Sequence, residues 1–134
     1  MSEEEIRDIL KNAQTIAVVG HSDKPERTSY RIAQIMGELG YLIYPVNPTV
    51  SHIDGKPAYP SLDEIPTKID IVNVFRRSEH LKGVVEEAIK LQAPVVWAQL
   101  GVYDEDAARL AEENGIKIVM DRCIKVAYQE LLGV

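Results

Sequence analysis

One cysteine, no long apolar run, no basic surplus and no recognisable catalytic signature: each shortage in this 134-residue chain removes a class of protein. Cys123 alone cannot close an intrachain disulfide, and the apolar runs are too short for a membrane span. The first residues, MSEEEIRDIL, are acidic and helix-like rather than basic and then apolar. No export signal is read there, so a reducing cytoplasm is the expected home. A formal net charge of -6 gives no long-range attraction for DNA or RNA, and any phosphate ligand must be met by a local cluster of cations. No H-x-x-x-H or C-x-x-C spacing suggests a metal, no G-x-S-x-G elbow suggests a hydrolase, and no G-x-x-x-x-G-K-[ST] run suggests a Walker-type nucleotide site.

What is present is a regular alternation. Ser2-Glu3-Glu4-Glu5 can form a capping box before a helix with Ile6, Ile9, Leu10 and Ala13 on one face. Strands are read at Thr15–Val19, Tyr41–Val46, Ile69–Phe75, Pro94–Ala98 and Ile116–Met120, with a short one near Ala58-Tyr59. Between them lie amphipathic helices: one capped by Thr28 or Ser29 and closed at Gly40, one over Ser78–Leu91, one over Asp104–Asn114, and one running to Leu132. Ser61-Leu62-Asp63-Glu64 offers a second capping box on a very short helix. Apolar strands separated by such helices predict one domain over residues 1–134, an α/β doubly wound parallel sheet in three layers, α/β/α. The expected strand order, counting strands along the chain, is 3-2-1-4-5-6.

That order makes the first strand and the one ending at Phe75 neighbours at the topological switch point, where such sheets bind ligands. Three patches then converge on the carboxyl edge: IAVVGHSDKPERTS at 16–29, YPVNP at 44–48 and VFRR at 74–77. Gly20 permits a tight turn, the next helix start offers free N–H groups, and Ser22, Thr28 and Ser29 add hydroxyls. Lys24, Arg27, Arg31, Arg76 and Arg77 can supply positive charge. The nicotinamide fingerprint is not met, because Ser22 and Pro25 stand at its second and third glycine places. The acidic ribose-binding residue after strand 2 is replaced by Val46-Asn47-Pro48. An NAD(P)-dependent oxidoreductase is therefore the alternative, and a holder of a phosphate-bearing cofactor the leading reading. Cys123, beside Asp121 and Arg122 at the last helix start, reads as a packed thiol. Trp97 reads as core, and His52 and His80 as surface.

VGHSDKPERTS, YPVNP, the G-x-x-x-Y-x-S-L-x-x-I-P stretch at 55–66, DIVNVFRR and a late DRC together resemble the stand-alone bacterial and archaeal CoA-binding proteins. These are related to the CoA-binding domain of the succinyl-CoA synthetase alpha subunit and of ADP-forming acyl-CoA synthetases. The resemblance implies a Rossmann-like domain that binds coenzyme A or acyl-CoA. Gly20, His21 and Ser22 would lie against the pyrophosphate, with Lys24, Arg27 and Ser29 near phosphates. Val46, Asn47, Phe75 and Arg76 would border the nucleotide, and Gln99 and Gly101 would lie toward the pantetheine. Neither the synthetases' phosphohistidine domain nor a nucleotide-grasping domain is read in this sequence. The expectation is thus an accessory, carrier or sensor without catalysis of its own. It would work alone, as a homodimer, or as the separately encoded subunit or partner of an acyl-CoA enzyme.

Overall fold

In the computed structural model, which describes residues 1–133, five parallel strands form the central sheet. They are β1 (Thr15–Val19), β2 (Leu42–Val46), β5 (Ile71–Val74), β6 (Val95–Ala98) and β7 (Lys117–Val119), in the order β2-β1-β5-β6-β7. A two-stranded hairpin, β3 (His52–Ile53) and β4 (Lys56–Pro57), lies apart from it. The helices are α1 (Glu3–Asn12), α2 (Thr28–Glu38), α3 (Leu81–Leu91), α4 (Glu105–Glu113) and α5 (Ile124–Leu132).

The period of two in the strands sorts side chains onto two faces. Ile16, Val18, Ile71, Val95 and Trp97 pack with Ile6, Leu10, Ile32, Met36 and Ile124 of α1, α2 and α5. Ala17, Val19, Val72, Val74, Val96 and Ala98 pack with Leu81, Val85, Ala88, Ala107 and Ala111 of α3 and α4. Every residue of β1, β5 and β6 is buried, as a sheet covered on both faces requires. This is the expected three-layer, Rossmann-like fold. The Ser2–Glu5 capping box forms as read, and Gly40 closes α2 with φ +112°. Trp97 is fully buried, its indole N–H donating to the Arg122 carbonyl at 2.8 Å.

Three local readings change. The short strand near Ala58-Tyr59 is reduced to one parallel bridge, Val46 to Tyr59, in the place expected for a sixth strand. Pro57 and Pro60 on either side carry no N–H to extend it. Asp54-Gly55 instead turns the hairpin, with φ of +52° and +79°. Neither Thr28 nor Ser29 caps α2, whose cap position is Arg27 without a side-chain bond. The second box also fails: Leu62–Glu64 is one 3₁₀ turn, and no side chain of Ser61 caps it. Among the described residues, no helix is long and apolar enough to cross a membrane.

Candidate functional site

The three sequence patches meet, and backbone hydrogen bonds tie them. The Gly20 N–H donates to the Val46 carbonyl at 3.1 Å, and the Phe75 N–H donates to the Val19 carbonyl at 2.8 Å. The turn after β1 therefore sits between the ends of β2 and β5. Gly20 has φ +87°, and a Cβ there would stand 2.7 Å from the Phe75 carbonyl oxygen. No other residue type fits this crossing without displacing the β5 loop.

From Gly20 the chain crosses to α2 in a tightly ordered turn. Ser29 Oγ accepts the Ser22 N–H at 2.9 Å, and Ser22 Oγ accepts the Lys24 N–H at 3.1 Å. Ser29 is consequently buried and serves as a brace for the loop. The first turn of α2 has neither an acidic side chain nor a side-chain cap. Its leading N–H groups have no intrahelical acceptor, and the positive end of the helix dipole stays uncompensated.

Beside this turn lies a groove of 410 Å³. Gly20, Ser22, Lys24, Arg27, Val46, Asn47 and Arg76 line it, seven of the twelve residues read as candidate contacts. Lys24, Arg27 and Arg76 are exposed and give the positive charge. Arg31 and Arg77, also read as part of the cluster, point elsewhere: Arg31 donates to the Glu26 carbonyl at 2.8 Å, and Arg77 faces Glu79 at 3.9 Å. Asp23 and Glu87 are the opposing charges in the groove lining. Burial, then the Asp63 carboxylate, push the Glu87 carboxyl above the usual range, while Arg76 and Lys90 pull it back.

The other five candidates stand outside the groove lining. His21 is only 4% exposed, and its Nδ1 donates to the Ser22 carbonyl at 2.7 Å. Its ring packs edge-on to Tyr30 in a separate 720 Å³ cleft between α2, β2 and the hairpin. Burial holds this imidazole below its ordinary value, against the raising effects of the Ser22 carbonyl and Asp54. Phe75 offers its carbonyl to the Gly20 crossing, while its ring packs on the core. Gln99 is buried, its Oε1 accepting from Asn73 Nδ2 at 3.1 Å and from the Ile124 N–H at 3.0 Å. Gly101 turns at φ +85° and donates to Asp121 at 2.6 Å. Ser29, described above, completes the five.

Thr49, Pro60 and Ser61 also line the groove and were not read from the sequence. The only signal was the turn-rich composition after β2, which marks a loop without giving its direction. Among the described residues, no group of three or more His, Cys, Asp or Glu is placed to hold a metal ion.

The CoA binding domain family matches residues 14–129. The protein YneT of Bacillus subtilis is 51% identical over 127 residues, which span 95% of this chain and 94% of YneT. The solved structure of a hypothetical protein from Pyrococcus horikoshii superimposes with a TM-score of 0.95 at 41% identity. That match covers 99% of this chain and 94% of the other. The alpha subunit of the ADP-forming acetate–CoA ligase II of Pyrococcus furiosus is 26% identical over 131 residues. There the match takes in 89% of this chain but 28% of the subunit.

Proposed function

The chain belongs to the CoA binding domain family, and on that premise we propose that it binds coenzyme A or an acyl-CoA in the groove at the carboxyl edge of the sheet. The observation that carries this reading is the convergence of a glycine crossing, an uncapped helix start and three exposed cations on one 410 Å³ groove. Coenzyme A has a pyrophosphate and a separate ribose 3′-phosphate. One helix start can receive part of that charge, and Lys24, Arg27 and Arg76 supply partners for the rest. The residues present fit the ligand: Gly20 lets the β5 loop, with Arg76, cross against the turn after β1, and no acidic side chain occupies the first turn of α2. The proposed role is a carrier, sensor or accessory protein without catalysis of its own.

Calorimetric titration tests this directly. Coenzyme A and acetyl-CoA are expected to bind with similar affinity. Removing the 3′-phosphate should weaken binding by about tenfold, the equivalent of one charge-assisted hydrogen bond. Absence of heat with both ligands, from a protein that melts cooperatively, would contradict the reading. NAD binding more tightly than coenzyme A would favour the oxidoreductase alternative.

A second reading adds a protein partner. Leu100 and Tyr103, on the loop after β6, are 73% and 59% exposed. Ser78 ties that loop to the Arg76 loop by accepting the Tyr103 N–H at 3.0 Å. Exposed apolar side chains beside a cofactor groove suit docking of an enzyme that uses the bound thioester.

A further inference from the structure

Asn47 stands where dinucleotide-binding enzymes place the acidic residue that holds the ribose, yet three of the four hydrogen bonds its side chain can make are already made within the protein. Its Nδ2 donates to the His21 carbonyl at 2.9 Å. Its Oδ1 accepts both the Thr49 N–H at 2.8 Å and the Thr49 hydroxyl at 2.7 Å. Its backbone N–H donates to the Tyr59 carbonyl at 2.9 Å. The orientation of the amide is forced by chemistry: a backbone N–H can only donate and a carbonyl can only accept. One side chain thus joins the turn after β1 to the loop after β2, and its backbone joins both to the returning segment at Tyr59.

We propose that Asn47 is a positioning residue and not an acceptor for the ligand, and that it sets the distance between the Gly20–Ser22 turn and the Thr49 wall of the groove. The inference rests on the coenzyme A reading and deepens it in one respect, the basis of selectivity. With this amide turned inward, no side chain at the end of β2 is free to accept from a ribose diol. Selectivity against NAD therefore lies in the internal bonding of position 47 and in the phosphate partners, not in an attractive contact from Asn47. An aspartate at 47 would keep the bonds from Thr49 but place a carboxylate oxygen against the His21 carbonyl, where two acceptors repel. Protonating that carboxyl would restore a donor to His21. Alanine would lose both sets of bonds and could regain neither.

The test compares Asn47→Asp and Asn47→Ala with the parent protein, using coenzyme A, inorganic pyrophosphate in competition, and NAD. At neutral pH both variants should bind coenzyme A about tenfold more weakly. The loss should extend to pyrophosphate, because the turn that receives it has moved. Relative to the parent, Asn47→Asp should recover affinity as pH falls toward the carboxylate range, and Asn47→Ala should not. Neither should gain NAD affinity. Coenzyme A affinity that is unchanged in Asn47→Asp, or a loss confined to coenzyme A with pyrophosphate untouched, overturns the assignment in favour of direct contact or no role. A gain of NAD binding does the same. If the parent itself fails to bind coenzyme A, the functional reading falls, and the positioning claim is still read in ligand-free protein. Asn47→Asp should then shift the backbone amide resonances of Ser22 and Thr49, and unshifted resonances overturn it.

Discussion

The two ends of the same parallel sheet are finished in opposite ways. At the amino end the protein satisfies itself. The Asp70 carboxylate accepts the N–H groups of Gln14 and Thr15 at 2.8 and 3.2 Å. The Thr15 hydroxyl donates to the Lys68 carbonyl and accepts the Asp70 N–H, each at 2.9 Å. At the carboxyl end the turn after β1 crosses closely under the β5 loop at Gly20, α2 starts without a cap, and three cations line a groove. The helix starts on the carboxyl side also differ among themselves: α1 and α4 begin with a side-chain cap and acidic first turns, whereas α2, α3 and α5 have neither. Of these uncapped starts, α2 is the one that follows the Gly20 crossing beside the groove lined by Lys24, Arg27 and Arg76.

The most severe way to break this contrast is Gly20→Ala. A left-handed backbone costs an alanine about 1–2 kcal/mol, and the contact with the Phe75 carbonyl adds to it by pushing the β5 loop away. Coenzyme A affinity should fall roughly a hundredfold by calorimetry, with a lower melting temperature. A smaller effect of the opposite kind is expected from Asp70→Ala. Losing an acceptor for two N–H groups should cost about 1–3 kcal/mol in denaturant unfolding, while coenzyme A affinity stays unchanged once the protein is folded. Should that variant weaken the ligand as much as it weakens the fold, the two edges are not independent. The smallest effect concerns Glu87. Its ionised carboxylate opposes an anion in the groove, and its pKa lies above the ordinary value. Lowering the pH through that raised pKa protonates it and should tighten coenzyme A binding. Glu87→Gln should tighten binding about two- to fivefold at neutral pH and flatten that part of the profile.

The layering was legible in the sequence because apolar runs buried on both faces leave few alternatives. The convergence at Gly20, Val46 and Phe75 followed from topology alone. Side-chain direction was not legible. Ser29 reads as a cap or a phosphate ligand, and its hydroxyl accepts the Ser22 N–H; His21 and Gln99 read as ligand contacts, and each makes an internal hydrogen bond that the sequence did not foretell. A polar residue in a loop can satisfy the backbone or meet a ligand, and local sequence does not say which. The hairpin at Asp54-Gly55 and the groove residues Thr49 and Ser61 depend on how a proline-interrupted segment returns to β2, which is a tertiary property. Arg76 and Arg77 show the limit most simply: adjacent and chemically identical, one lines the groove and the other faces Glu79.

Titrating isotope-labelled protein with coenzyme A, while following backbone amide resonances, sets the two edges against each other in a single experiment. The shifts are expected at Gly20, Ser22, the first turn of α2 and Arg76, with Gln14, Thr15 and Asp70 left in place. Perturbation centred on the Asp70 end, or none at ligand excess, would contradict the assignment of coenzyme A to the carboxyl edge.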